Sequence, residues 1–253
     1  GLQLDPLVLK GRVRDPQGSA GIGAAVKIGD RTATTDEQGA FELPAAIPGM
    51  VEVSRIAYLA TEAEWDGSPD RFEVTLEPFI VKGVRVYSPV AGSESEFNAL
   101  LDMIDGTVIN TLVFDTKEEG GSVLYESQVP EAQDAVISGY DVEAVLAAAE
   151  ERGLYTITRI VTFQDNYWGP ANPDHAAKNT TTGGVWTNNR GLAWLAPTDR
   201  DAWESPLALA IEACHLGFDE IQFDYVRFPS DGDVSVLGYD IAVDAQVRAE
   251  TIA

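Results

Sequence analysis

The sequence predicts a chain in two parts, an all-β sandwich followed by the first units of a (β/α)-type barrel. Two observations carry this. Up to residue 78 the chain shows only short alternating apolar runs broken by turn signals, and from residue 79 onward apolar strands alternate with amphipathic helices. A third is size: 253 residues, 45% hydrophobic and 9% aromatic, suffice for one large domain or two ordinary ones with real cores.

The first part reads as "LVLKGRVRD", "AAVKIGD", "RTATTDEQGAFELP", "MVEVSRIAYLATEAEW" and "RFEVTLEP", with no helix of more than two turns expected before Glu77. In "GSAGIGAA", Gly21 and Gly23 mimic a dinucleotide fingerprint. Val26 stands where the third glycine belongs and no helix follows, so this is a turn. The second part runs in order through strand "VKGVRVYS", helix "SESEFNALLDMI" capped by Ser93 or Ser95, and strand "TVINTLVFDTK". Then come helix "YDVEAVLAAAEERG" with Asp141 at its start and Gly153 past its end, and strand "LYTITRIVTFQ". Helix "DRDAWESPLALAIEACHLG" closes on Gly217, with Cys214 expected as a small core residue; strand "DEIQFDYVRFP" and a helical pattern "YDIAVDAQVRAETIA" follow.

Nearly continuous apolar strands alternating with helices mean a parallel sheet, buried on both faces. A closed barrel has eight such units in ~250 residues, and four are visible here, so the expectation is the N-terminal half of a barrel. The fourth strand would then lack a barrel neighbour, exposing Ile221 and Phe223. Such a segment is expected to express poorly alone or to pair with another chain. The expected domains are 1–78 and 79–253, with the boundary near 78–82.

Charge narrows the partners. Forty-one acids against 17 Lys and Arg leave a formal charge of −24, which argues against nucleic acid and anionic membrane surfaces as partners, since both need basic patches. No apolar run approaches the ~18 residues of a membrane span, so membrane insertion is not expected. The opening "GLQLDPLVLKG" has no basic n-region or apolar h-region, so any export signal is expected to be removed or never present. Acidity suits an extracellular or cell-surface setting. One cysteine excludes an internal disulfide and a multi-cysteine zinc site. His175 and His215 lack H-x-x-x-H or H-x-H spacing, and neither a G-x-S-x-G elbow nor a P-loop occurs. No cofactor is indicated, although "DTKEEGG" and "PSDGDV" offer oxygen ligands for a structural Ca²⁺.

Two families are visible in the motifs. "GRVRDPQGSAGIGAAVKIGDRTATTDEQGAFELPAAIPG" resembles the carboxypeptidase regulatory-like (transthyretin-like) sandwich over about seventy residues, which implies an accessory module without catalytic residues. "VKGVRVYSPVAGS", "VINTLVFDTKEEGGSVLYES", "YTITRIVTFQDNY", "GVWTNNRGLAWLAP" and above all "GFDEIQFDYVRFPSDG" resemble the putative glycosyl hydrolase domain family. That resemblance implies a (β/α)₈ barrel distantly related to α-amylase-like enzymes. The chain departs from the family pattern at Phe114, where an aliphatic residue or an acid is usual.

Glycoside hydrolysis needs two carboxyl groups, which barrel enzymes carry at the C-terminal ends of strands. Asp115, Asp165 and Asp224 occupy such positions, and Asp224 shares a strand face with Gln222 and has Arg227 three residues on to keep it ionised. Tyr87, Tyr167, Trp168, Trp186 and Trp194 are candidate sugar platforms, and Lys117, Arg159, Gln222 and Arg227 candidate polar contacts. Arg159 sits inside an apolar strand and requires an acidic partner. The function expected is hydrolysis of a polysaccharide. The alternatives are a non-catalytic carbohydrate- or wall-binding protein on a degenerate site, and a structural fragment whose function lies in other sequence.

Overall fold

The computed structural model describes residues 7–252. The opening stretch in which the absence of an export signal was read lies partly outside them. The chain divides into two compact units, Gly1–Val81 and Lys82–Ala253.

The first unit is built of strands: β1 (Val8–Arg14), β2 (Ala25–Ile28), β3 (Arg31–Thr34), β4 (Ala40–Pro44), β5 (Gly49–Ser54), β6 (Thr61–Trp65) and β7 (Phe72–Thr75). They form two sheets, ordered β4-β1-β7 and β3-β2-β5-β6, antiparallel except for the parallel β1–β7 pair. Period-two alternation sends one side chain in two inward. Leu9 and Val13 of β1, Val26 of β2, Phe41 and Leu43 of β4, and Val51 and Val53 of β5 meet in a single core. Full burial of each such side chain is worth about 1.5–3 kcal/mol. Among the described residues no helix interrupts this unit.

The second unit is mixed α/β. In chain order it holds β8 (Gly83–Val86), α1 (Ser88–Ala91), α2 (Glu94–Ile104), β9 (Thr111–Lys117), α3 (Val142–Glu151), β10 (Tyr155–Val161) and α4 (Trp168–Ala171). After these come β11 (Lys178–Asn179), α5 (Glu204–Leu216), β12 (Glu220–Asp224), β13 (Leu237–Gly238) and α6 (Ala245–Ile252). The central sheet is parallel throughout and ordered β12-β10-β9-β8. Helix ends follow local chemistry. Ser93 accepts from the Glu96 N–H, Asp141 accepts from the Ala144 N–H, and Gly217 closes α5 at a φ of 107° that only glycine adopts freely.

Alternation again sorts the faces. Leu112 and Phe114 of β9 pack with Phe97, Leu101, Val145 and Ala149 of α2 and α3, and Ile160 of β10 packs with Leu209 and Ala210 of α5. The opposite face therefore carries Arg85, Asp115, Lys117 and Arg159. Ile221 turns toward the helices, which leaves Glu220, Gln222 and Asp224 on that same opposite face.

Three expectations change here. At β12, the sheet edge, Phe223 is exposed as a strand with one neighbour leads one to expect, but Ile221 is half-buried against the helices, and burial on both faces fails at Gln222, which is exposed. Cys214 is exposed rather than core, since the buried stripe of α5 runs Ser205, Pro206, Leu209, Ala210 and Ala213, and Cys214 falls off it at about 3.6 residues per turn. The last helix begins at Ala245 and not at Tyr239, because the Asp244 carboxylate accepts from the Val247 N–H and caps it there.

Candidate active site

Three successive parallel strands deliver their C-terminal residues to one ionic network. Arg159 of β10 is its centre, with the side chain 7% exposed. Its Nη1 donates to Asp115 Oδ1 of β9 at 3.0 Å, its Nε to Asp224 Oδ2 of β12 at 2.7 Å, and its Nη2 to Glu119 Oε1 at 2.7 Å. Arg85 of β8 donates to the other oxygen of Asp115 through Nη2 at 2.6 Å and Nε at 3.0 Å. Asp115 thus lies between two guanidinium groups, itself 3% exposed. A register shift between Arg159 and Ile160 interrupts the β9–β10 ladder beside this network. Bulges of this kind re-aim side chains next to functional sites.

A second ion pair lies on the same face. Lys117 Nζ is 2.6 Å from Asp165 Oδ2, and both residues are buried. The other oxygen, Oδ1, accepts from the backbone N–H of Tyr167 and of Trp168, each at 2.8 Å. Asp165 therefore anchors the entry of the long loop after β10. The loop after β9 closes against it: Gly121 has a φ of 92°, and a Cβ there would stand 2.8 Å from Asp165 Oδ1. Only glycine satisfies both demands.

At β12 the strand ends in a bent backbone. Tyr225 takes a φ of 54°, unusual for a bulky residue, and its N–H donates to Asp224 Oδ1 at 2.7 Å. Burial opposes ionisation of Asp224, but the hydrogen bond from Arg159, that from the Tyr225 N–H and the charges of Arg159 and Arg227 outweigh it. Its carboxyl is held below the usual carboxylate range. Glu119 behaves alike. Burial pushes up, while its own backbone hydrogen bond and Arg159 and Arg85 pull the carboxyl lower.

Several sequence expectations meet the geometry differently. The partner of Asp224 is Arg159 rather than Arg227. Arg227 donates to Ser230 Oγ at 2.7 Å and stands 5.1 and 4.9 Å from the ring centres of Trp194 and Tyr225. Lys117, expected as a substrate contact, is sealed against Asp165. Trp186 and Trp194, expected as sugar platforms, are buried in a loop core with Phe163, Ala177 and Leu195; the Trp186 N–H donates to the Asp233 carbonyl. Loop aromatics pack on each other wherever the loop is long enough to enclose them. Trp168 is half-buried beside His175, while Tyr87 and Tyr167 are exposed, Tyr87 with Arg85 5.0 Å from its ring centre. Gln222 is exposed on the Asp224 face.

Glu119 was not foreseen. Its only sequence signal is the acid pair Glu118–Glu119 immediately after a strand end, in a turn that reads as solvated. Neither proposed Ca²⁺ stretch gathers three acidic, His or Cys side chains; among the described residues such a group forms at His175, Asp199 and Asp201.

Comparisons with known proteins place the second unit. The sequence model described as "Putative glycosyl hydrolase domain" matches residues 83–253, more than half of the chain. Among solved structures, the chain is similar to a hypothetical protein from Ruminiclostridium thermocellum, 33% identical with a TM-score of 0.61, over 67% of this chain and 86% of that one. An α-galactosidase from Lactobacillus brevis matches at 8% identity and a TM-score of 0.47, over 87% of this chain and 30% of the enzyme. A noncanonic maltogenic α-amylase from Thermotoga neapolitana matches at 13% and 0.41, over 56% and 38%. These last two likenesses are too slight to argue from, and the chain spans only a minor part of either enzyme. No curated protein matches the chain. By the extent of its family match, with the strand-end motifs lying inside it, the chain belongs to the putative glycosyl hydrolase domain family.

Proposed function

We propose that residues 79–253 form the N-terminal half of a (β/α)-type barrel that handles a polysaccharide at the C-terminal ends of its strands, by the carboxylate chemistry of a glycoside hydrolase. One observation carries this: Asp115, Arg159 and Asp224, from three adjacent parallel strands, converge at their C-terminal ends, where barrel enzymes keep their sites. In this reading Asp224 is the ionised group that faces the oxocarbenium-like transition state, as nucleophile or as stabiliser. Arg159 holds it charged and oriented, and Arg85 with Asp115 holds Arg159. Asp165, neutralised by Lys117, anchors the loop after β10 through the Tyr167 and Trp168 N–H groups. Gln222 and Arg227 are candidate sugar contacts, with Tyr87, Tyr167 and Trp168 as exposed or half-buried platforms.

Residues 1–78 are proposed as an accessory module of the carboxypeptidase regulatory-like type, its two sheets forming a sandwich. An extracellular or cell-surface setting fits the charge of −24.

A second reading has its own observation. Asp224 and Glu119 both sit below the ordinary carboxylate range, so neither is suited to donate a proton near neutral pH. A site with a stabilising anion and no acid would bind a glycan without cleaving it. Reducing-end release from a panel of neutral polysaccharides, measured alongside binding by affinity electrophoresis, separates the two. Cleavage supports the hydrolase, binding without cleavage supports the second reading, and neither leaves no glycan function at this site.

A further inference from the structure

Asp224 ends the ladder between β10 and β12: the Thr162 N–H donates to its carbonyl at 2.8 Å. Since β12 is the sheet edge, no further strand offers an acceptor to the next N–H, that of Tyr225. The chain turns instead. Tyr225 takes its φ of 54°, and its N–H folds back onto Asp224 Oδ1 at 2.7 Å. A positive φ is unfavourable for a bulky residue and persists only where the surroundings impose it. The ring shows what imposes it here. Tyr225 packs on Trp194 with ring centres 5.8 Å apart, and the Arg227 guanidinium stands 4.9 Å from its ring centre. Trp194 is fully buried; its carbonyl accepts from the Ala177 N–H, and the adjoining Leu195 N–H donates to the Phe163 carbonyl at 2.7 Å. The Tyr225 ring therefore rests on a wall tied to the residues that follow β10.

We propose that Tyr225 is a positioning residue for Asp224: its ring, seated on Trp194, imposes the left-handed backbone, and that backbone aims an N–H at Oδ1 while Oδ2 stays on Arg159. The consequence for catalysis rests on the reading of Asp224 given above. The last torsion of an aspartate is soft, so a carboxylate held by Arg159 alone could turn about it. Held at both oxygens from two elements, it keeps one orientation. A donor to the charged form also favours ionisation, and the Tyr225 N–H is one of the groups that lower the Asp224 carboxyl. A charge that stabilises a transition state acts best when its place is fixed before the substrate arrives. The Tyr225 side chain supplies that placement without itself touching a sugar.

The test is a carboxyl-carbon NMR titration of Asp224 in the full chain, its signal identified as the one that Asp224→Asn removes. Tyr225→Gly accepts the same φ without strain and deletes the ring. It is expected to lower the acid dissociation constant of Asp224 about tenfold, whereas Tyr225→Phe, which keeps the ring, is expected to titrate as the wild type does. A folded Tyr225→Gly in which Asp224 titrates unchanged overturns the inference, whatever its melting temperature, because a merely structural tyrosine would give that result. So does a Tyr225→Phe that titrates like the glycine variant. Hydrogen exchange on the wild type answers whether or not either variant folds: the Tyr225 amide should be protected although it lies at the sheet edge, and exchange at the rate of an open loop overturns the inference. Neither readout needs a substrate, so failure of the glycan reading shows separately, as absence of cleavage and binding by a protein whose Asp224 still titrates as expected.

Discussion

The inner strands β9 and β10 and the edge strand β12 carry the same kinds of side chain to the same end of one sheet, yet the surroundings give them different work. On the inner strands Asp115, Lys117 and Arg159 are buried and every charge is closed by a partner. On β12 Gln222 is exposed and Asp224 is about one-third open, with one oxygen on Arg159 and the other on the Tyr225 N–H. Arg159 belongs to both regions. The difference teaches that an ion pair at a strand end is not evidence of chemistry by itself. Burial sorts the groups that hold the frame from the group that can meet a substrate.

The largest effect expected on the frame comes from the sealed pair. Lys117→Met leaves the Asp165 carboxylate buried without its cation and should cost about 3–5 kcal/mol in a denaturant titration. Adding Asp165→Asn neutralises that charge while an acceptor for the Tyr167 and Trp168 N–H groups remains, so a large part of the loss should return. A small effect of Lys117→Met would mean that the pair is wetter than its burial indicates.

Aromatic residues sharpen the same contrast. Trp186→Ala empties the loop core and should cost about 3–5 kcal/mol. Tyr87→Ala removes an exposed ring and should leave the melting temperature nearly unchanged while weakening glycan binding. If both variants behaved alike in stability and in binding, the division between frame and cleft would not hold.

The smallest effect is the pH dependence of the edge. Asp224 and Glu119 have folded-state pKa values below their ordinary values of 3.8 and 4.5. Each therefore contributes stability that is present above its ordinary pKa and lost as the pH falls through the lower, folded-state value. The melting-temperature difference between wild type and Asp224→Asn should be constant near neutral pH and shrink below about pH 4. A difference that grows on acidification would have the wrong sign for a depressed carboxyl.

Much of the frame was legible in the sequence because its signals are local. Period-two alternation assigns Gln222 and Asp224 to one face of β12, and Ser93, Asp141 and Gly217 mark helix ends by chemistry that acts within a few residues. The need of Arg159 for an acid follows from its apolar strand. What stayed hidden is set by long-range pairing. Arg227 drew attention because it lies three residues from Asp224, whereas the guanidinium that bonds Asp224 is 65 positions away on the neighbouring strand. Glu119 was passed over because an acid before two glycines looks like any solvated turn, and only the approach of Arg159 distinguishes it. Trp186 and Trp194 sit in a Gly- and Asn-rich stretch that reads as open loop, although that loop is long enough to enclose its own core.

The central claim is that Asp224 is the exposed, ionised end of a network whose other members are structural. Its direct test is Asp224→Asn, with hydrolysis of a cleavable polysaccharide and thermal melting measured on the same sample. The substitution keeps the shape and removes the negative charge, so kcat should fall by on the order of 10³-fold, or ~4 kcal/mol, while the melting temperature moves by only a few degrees. A variant that melts much earlier but keeps its activity per folded molecule would show that Asp224 is one more brace for Arg159, and would contradict the account.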